Sequence, residues 1–136
     1  MMKRSLALLC GVFLFLATQA QTPKTPQWVT FKSPQLKCWE CKDRLEKYLF
    51  REKGPNNDSG IMKWQIVMST GTIRIQYYPT LIDAGYLKTV INNAGFDTED
   101  SKATEDSYKM LPPVCKRPEE GGGPQKGKPC NIPPMQ

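Results

Sequence analysis

The sequence predicts an α+β sandwich, an antiparallel sheet with two helices on one of its faces. Three observations point there. Two alternating apolar runs, 61–68 and 73–77, flank the tight turn Ser69-Thr70-Gly71-Thr72, which is a hairpin signal. Each run keeps a polar side, so only one face of the sheet needs cover. Helical periodicity lies on either side of the hairpin, giving the order strand, helix, strand, strand, helix, weak strand.

Residues 1–20 stand apart from that domain. Met1-Met2-Lys3-Arg4 is a basic start, Leu6 to Ala17 is almost wholly apolar, and Thr18-Gln19-Ala20 ends in small residues. This reads as a secretory signal peptide cut between Ala20 and Gln21. The apolar run falls short of the roughly twenty residues that span hydrocarbon, which disfavours an uncleaved anchor. Cys10 lies inside the run behind Leu9 and is a spectator. Cleavage lowers the formal charge from +6 to +4, too mild and too dispersed to suggest nucleic acid. Four cysteines remain, Cys38, Cys41, Cys115 and Cys130, an even number that could form two disulfides after export. Asn57-Asp58-Ser59 would be a glycosylation acceptor only in a eukaryotic secretory pathway.

Residues 21–27, with Pro23 and Pro26, read as a flexible leader. Trp28-Val29-Thr30-Phe31-Lys32 alternates and carries aromatic and β-branched residues, a short strand that Pro34 stops. A helix follows the first cysteine pair and runs to about Arg51. Cys41, Leu45, Tyr48 and Leu49 share one face, opposite Lys42, Asp43, Glu46 and Lys47. Gly54 to Gly60 is a loop on composition. In the hairpin's first strand Met62, Trp64, Ile66 and Met68 share a parity that Ile61 and Val67 break. In its second, Ile73, Ile75 and Tyr77 face one way and Arg74 and Gln76 the other; Pro79 ends it.

The second helix is expected from about Ile82 to Asn93, with a buried stripe of Leu87, Val90, Ile91 and Ala94 and Gly95 at its C-terminal cap. Gly85 weakens its first turn by roughly a kcal/mol. Phe96 then begins a depleted edge strand through Asp97-Thr98-Glu99-Asp100. A short third helix, Thr104 to Leu111, presents Tyr108 and Leu111 to the body. Val29, Phe31, Leu45, Leu49, Ile66, Ile73, Ile75, Leu87, Val90 and Ile91 supply a small core. The domain is thus expected over 28–100 and a helical extension over 101–115. The Pro/Gly-rich tail 116–136, including Gly121-Gly122-Gly123, is expected to be disordered.

Chemistry must start at Leu36-Lys37-Cys38-Trp39-Glu40-Cys41. The chain has no His, so no imidazole can act as ligand or as general base, and a hydrolytic triad is excluded. Cys38 in a strand–helix loop and Cys41 in the helix's first turn can aim both sulfurs at one ion, about 2.3 Å from each for zinc. Helix N-terminal amides favour thiolate. Two thiolates without imidazole or carboxylate form a soft pair that selects Cu(I) and comparable ions. Two ligands also leave the ion open to a partner's cysteines, as a carrier requires. Trp39 is read as a docking or shielding ring, or as a ring packed on the domain edge. Met62 and Met68 are read as core fillers before thioether ligands.

Gln35 to Cys41, Leu45, Leu49, Gly60-Ile61, Thr70 to Pro79, Leu87, Ile91 and Ala94-Gly95-Phe96 together resemble the heavy-metal-associated domain family. That family includes copper chaperones, modules of copper-exporting ATPases and a periplasmic mercuric-ion-binding protein. The resemblance covers roughly Trp28 to Asp97. It implies a ferredoxin-like βαββαβ sandwich and binding of Cu(I), Hg(II) or a similar ion, Zn(II) included, by Cys38 and Cys41. Leu36 stands where the family usually has methionine, and Trp39-Glu40 replaces small residues. The extension resembles that of exported versions, where Cys115 could be a third thiolate or the disulfide partner of a loop cysteine.

Three function classes follow. The first is an exported, periplasmic or secreted soft-metal-binding or delivery protein. It would be monomeric and not an enzyme, with a metal-donor or metal-acceptor protein of the envelope as partner, and without membrane insertion after signal cleavage. The second is a thiol-disulfide protein using the same pair, since an oxidised pair has no thiolate to give. The third is a non-catalytic envelope interaction domain with structural disulfides.

Overall fold

The computed structural model describes residues 24–127 and Cys130. The expected signal peptide, its cleavage point and most of the tail beyond 127 lie outside the described residues. Among those described, no helix is long and apolar enough to cross a membrane.

Strand β1 spans Gln27–Lys32, helix α1 Trp39–Lys53, strands β2 and β3 Ile61–Val67 and Thr72–Tyr77, helix α2 Ala84–Asn93 and helix α3 Glu105–Lys109. The sheet is antiparallel in the order β1-β3-β2. This is the ferredoxin-like arrangement with β3 at its centre. Phe31, Ile66, Ile73 and Ile75 bury one face of the sheet against Leu45 and Leu49 of α1 and Leu87, Val90 and Ile91 of α2. Each fully buried leucine stabilises by about 1.5–3 kcal/mol. Val29 is half-buried and packs on the same cluster. The other face is polar, with Trp28 lying under Arg74 (4.8 Å to the ring centroid) and Lys63 (5.7 Å).

The broken parity of β2 has a physical origin. A bulge between Ile61 and Lys63 leaves Met62 as the extra residue. Ile61 therefore pairs with Tyr77, Trp64 with Ile75 and Ile66 with Ile73, and all three β2 side chains share the helix-covered face. Ile61 is fully buried, whereas Val67 is exposed. Met62 and Met68 are only half-buried.

Helix α2 starts at Ala84, later than the sequence suggests, because Asp83 caps it by accepting from the Tyr86 N–H at 2.7 Å. Its end closes as a Schellman motif: the Gly95 N–H donates to the Asn92 carbonyl and the Phe96 N–H to that of Ile91, with Gly95 at φ 103°.

The expected fourth strand does not form; among the described residues the sheet has three. The charged segment after Phe96 uses its side chains instead. Glu99 Oε2 accepts the Lys32 N–H at the edge of β1 (2.9 Å), and Asp97 turns inward, 4% exposed. Asp97 accepts from the Ala103 N–H (2.7 Å) and binds Arg117 Nε (2.6 Å) and a terminal guanidinium nitrogen (3.0 Å). Helix α3 is shorter than expected. The Thr104 hydroxyl bonds Asn93 Oδ1 and makes no side-chain cap to α3. Tyr108 and Leu111 are buried as expected.

The tail's first part is ordered, contrary to the composition-based expectation. A 3₁₀ turn at Pro113–Cys115 packs on α1, and a second covers Pro118–Glu120. Arg117 lies over the Tyr108 ring at 3.9 Å, and the Tyr108 hydroxyl meets Glu120. Gly122 donates to the Arg117 carbonyl (3.0 Å) and Gly123 to that of Val114 (2.8 Å). Gly122 approaches the Lys116 backbone so closely that a Cβ would overlap its carbonyl. Pairwise contacts of this kind order a segment that has too few apolar residues to form a layer.

Candidate metal centre

The loop between β1 and α1 is built from below. Leu36 is fully buried, an apolar wedge under the loop. Gln35, 1% exposed, ties three backbone groups together. Its Nε2 donates to the carbonyls of Gly95 and Cys115, each at 3.0 Å, and its Oε1 accepts the Asp97 N–H at 2.7 Å. The end of β1, the end of α2 and the extension are thereby held to one side chain.

Cys38 is the N-cap of α1, extended at φ −121° and ψ 151°. Its carbonyl accepts the N–H of Cys41 (3.1 Å) and of Lys42 (3.2 Å), so the helix begins on it. Cys41 falls in the first turn, on the face that carries Leu45 and Leu49. Cys38 thus lies at the junction of loop and helix and Cys41 in the helix's first turn, the positions the sequence suggests for them. Trp39 is the first residue of α1 and is half-buried.

Each of the two sulfurs is bonded to a cysteine from later in the chain. Cys38 is bonded to Cys130, with Cα atoms 4.9 Å apart across a separation of 92 residues. Cys41 is bonded to Cys115, at 5.4 Å across 74 residues. Cys38, Cys41 and Cys115 are fully buried, and Cys130 is half-buried. Cys38 and Cys41 are not bonded to one another. In this state the chain presents no free thiolate at the loop, and the described residues contain no group of three or more Cys, Asp or Glu side chains placed to hold a metal ion. Cys115 is a disulfide partner here, one of its two expected roles, and Cys130, expected far out along the tail, is the other.

Two residues of the site carry no clear sequence signal. Asp97 reads as one member of an acidic run, and Gln35 as a polar loop residue. Only the folded arrangement shows that the extension docks on both. Burial opposes the charge on Asp97, but hydrogen bonds from Arg117 and the Ala103 N–H, with the charges of Arg117 and Lys102, more than offset it and hold its carboxyl below the usual range.

No family model matches the sequence, and no curated protein matches it. Solved structures do. An oxidised MerP from Ralstonia metallidurans CH34 is 17% identical, with a TM-score of 0.46 over 55% of this chain and 96% of its own. The CopZ metallochaperone is 21% identical, with a TM-score of 0.44 over 53% of this chain and 98% of its own. A putative copper-ion-binding protein from Bacillus anthracis str. Ames is 17% identical, with a TM-score of 0.46 over 57% of this chain and all of its own.

Proposed function

We propose that the chain is an exported soft-metal-binding protein, holding Cu(I), Hg(II) or a similar ion between Cys38 and Cys41 when those residues are reduced. The observation that carries this reading is their placement. Cys38 caps α1 and Cys41 lies in its first turn, and each is bonded to a different later cysteine, Cys130 of the tail and Cys115 of the extension. Reduction of both bonds frees the two thiols side by side at the start of α1, where helix amides favour thiolate. The oxidised state is closed: every ligand sulfur is in a covalent bond. Loading or delivery therefore belongs to the reduced form, with an envelope metal donor or acceptor as partner and the monomer as the unit. No catalytic role is proposed.

The test is a comparison of redox states. Fully reduced protein should take up one Cu(I) or Hg(II) per chain, oxidised protein none, and Cys115→Ser with Cys130→Ser should bind without prior reduction of internal disulfides. A reduced protein that binds no ion would remove the reading.

The pairing itself favours a second reading, a disulfide-stapled interaction domain with no ion. All four cysteines are consumed, and Cys41 and Cys115 have no exposed surface. The thiol-disulfide alternative requires Cys38 and Cys41 to close on each other, and the observed pairing is a different one.

A further inference from the structure

The two disulfides stand in unlike surroundings. Cys41–Cys115 has both sulfur-bearing residues fully buried. Around it Gln35 holds the Cys115 carbonyl, the Cys115 N–H donates to the Pro112 carbonyl at 2.9 Å, and Lys116 Nζ reaches the Tyr108 carbonyl at 2.6 Å. Next in sequence, Arg117 is paired with the buried Asp97. Cys130 belongs to a different setting. It is half-buried, and its sulfur lies 3.4 Å from the Lys37 carbonyl.

Thiol–disulfide exchange requires a nucleophile to reach a sulfur along the bond. The exposed side of Cys130 offers that approach, and the Cys41–Cys115 bond does not. A dithiol reductant therefore breaks Cys38–Cys130 first. One S–S bond is cleaved, Cys38 and Cys130 each gain a hydrogen, and the dithiol becomes its own disulfide. Cys41–Cys115 stays closed. The first state with free sulfurs thus holds Cys38 and Cys130, not Cys38 and Cys41.

These two thiols remain neighbours. Cys130 is still tethered through Cys115, only fifteen positions away, and that tether is docked by the Gly122 and Gly123 hydrogen bonds. A two-coordinate soft ion needs its sulfurs about 4.6 Å apart, twice the metal–sulfur distance of a d¹⁰ ion such as zinc. Parting the two sulfurs to that distance falls to Cys130, which keeps exposed surface, and not to Cys38, which is fully buried at the start of α1.

We propose that Cys38 and Cys130 form a second site for a soft cation, Hg(II) or Cu(I), which opens when the Cys38–Cys130 bond alone is reduced. It rests on the reading that Cys38 is an ion-binding thiol in the reduced protein, and adds a ligand from the tail. Binding of Hg(II) releases two protons, one from each thiol, and forms two sulfur–mercury bonds.

The experiment uses the full chain and graded amounts of a dithiol, with free thiols alkylated and located by mass spectrometry. Cys38 and Cys130 should be labelled first, as a pair. Adding one equivalent of Hg(II) before alkylation should protect both, with one ion per monomer. Initial labelling of Cys41 or Cys115, failure of protection, or an ion shared between two chains would each overturn the proposal. Variants separate it from the loop reading. Cys41→Ala with Cys115→Ala should bind Hg(II) about 100-fold more tightly than Cys130→Ala with the same two changes, the gain expected when a second ligand is tethered. Binding by Cys115→Ala with Cys130→Ala, but no such advantage in the first comparison, sinks the tail site and leaves the loop site standing. Binding by neither sinks both.

Discussion

Because one disulfide loop is nested within the other, removing both bonds should cost more than the sum of removing each. The outer bond closes 92 residues and the inner 74. In the chain-entropy description a lone crosslink of those lengths stabilises by about 4.6 and about 4.4 kcal/mol. Once either bond exists, however, the other no longer closes a long loop. The remaining path runs from Cys38 to Cys41 and from Cys115 to Cys130, about 18 residues in all, worth about 3.2 kcal/mol. Removing one bond therefore costs about 3.2 kcal/mol, while removing both costs about 7.7 kcal/mol. The coupling is about 1.3 kcal/mol, and losses local to each site cancel in the cycle.

The assay is urea unfolding of four proteins without reductant: the native chain, Cys38→Ala with Cys130→Ala, Cys41→Ala with Cys115→Ala, and the quadruple variant. Each double variant should also melt roughly 12 °C lower for the loop term alone, with a further loss from buried sulfur that is larger in the second, where both residues are fully buried, than in the first, where only Cys38 is. A coupling of zero or of opposite sign would refute the nested-loop reasoning, even if each double variant were destabilised as expected.

Two further predictions concern the dock beneath the extension. The Asp97 carboxyl is held below its ordinary range, so its contribution to stability is fully present above the unfolded value near pH 4 and is lost as pH falls through the lower folded value. Asp97→Asn should flatten that acid limb in a pH series of urea midpoints and cost about 3 kcal/mol at neutral pH by removing the buried one of Arg117's two carboxylate partners, the more exposed Glu120 remaining at 3.5 Å; an unchanged acid limb would disprove the assignment. Gln35→Ala leaves two carbonyls and one N–H without their partner in a buried place, a loss of about 3 kcal/mol or more, measurable by urea unfolding, whereas Gln35→Glu should be worse because a carboxylate would face both carbonyls.

Much of the domain is legible in the sequence because local rules agree with the fold. The hairpin at Gly71, the stripe Leu87, Val90 and Ile91, and Gly95 past the end of α2 each follow from a period or a backbone requirement. What escapes is whatever depends on distant pairing. The parity of β2 fails at Ile61 because a bulge, invisible in an alternation pattern, shifts one residue. Asp97 reads as solvent-facing until Arg117, twenty positions later, is brought against it. Four cysteines permit three connectivities, and the cross-pairing of Cys38 and Cys41 with Cys130 and Cys115 has no local signature. The order of residues 116–127 escapes for the same reason: it comes from the Arg117 and Tyr108 contacts and from Gly122, not from apolar content.

The same topology offers a way to tell which sulfurs hold an ion, without seeing the ion. A ligand stabilises a fold only to the extent that it prefers the native chain over the unfolded one. Cys38 and Cys41 are three positions apart in any conformation, so an unfolded reduced chain can chelate a soft ion almost as well as a folded one. Closing so small a loop is worth roughly 1.5 kcal/mol by the same entropy relation. Cys38 and Cys130 are neighbours only when folded, and an ion bridging them closes the 92-residue loop again, recovering about 4.6 kcal/mol in the absence of the inner disulfide. Fully reduced protein loaded with one equivalent of Hg(II) should therefore melt only a few degrees above the ion-free form if the loop pair binds. If the ion spans loop and tail, the rise should be well over 10 °C. Thermal scans of the reduced protein with and without the ion decide between them, and a large rise that persists in Cys130→Ala would contradict the entropic account for both sites.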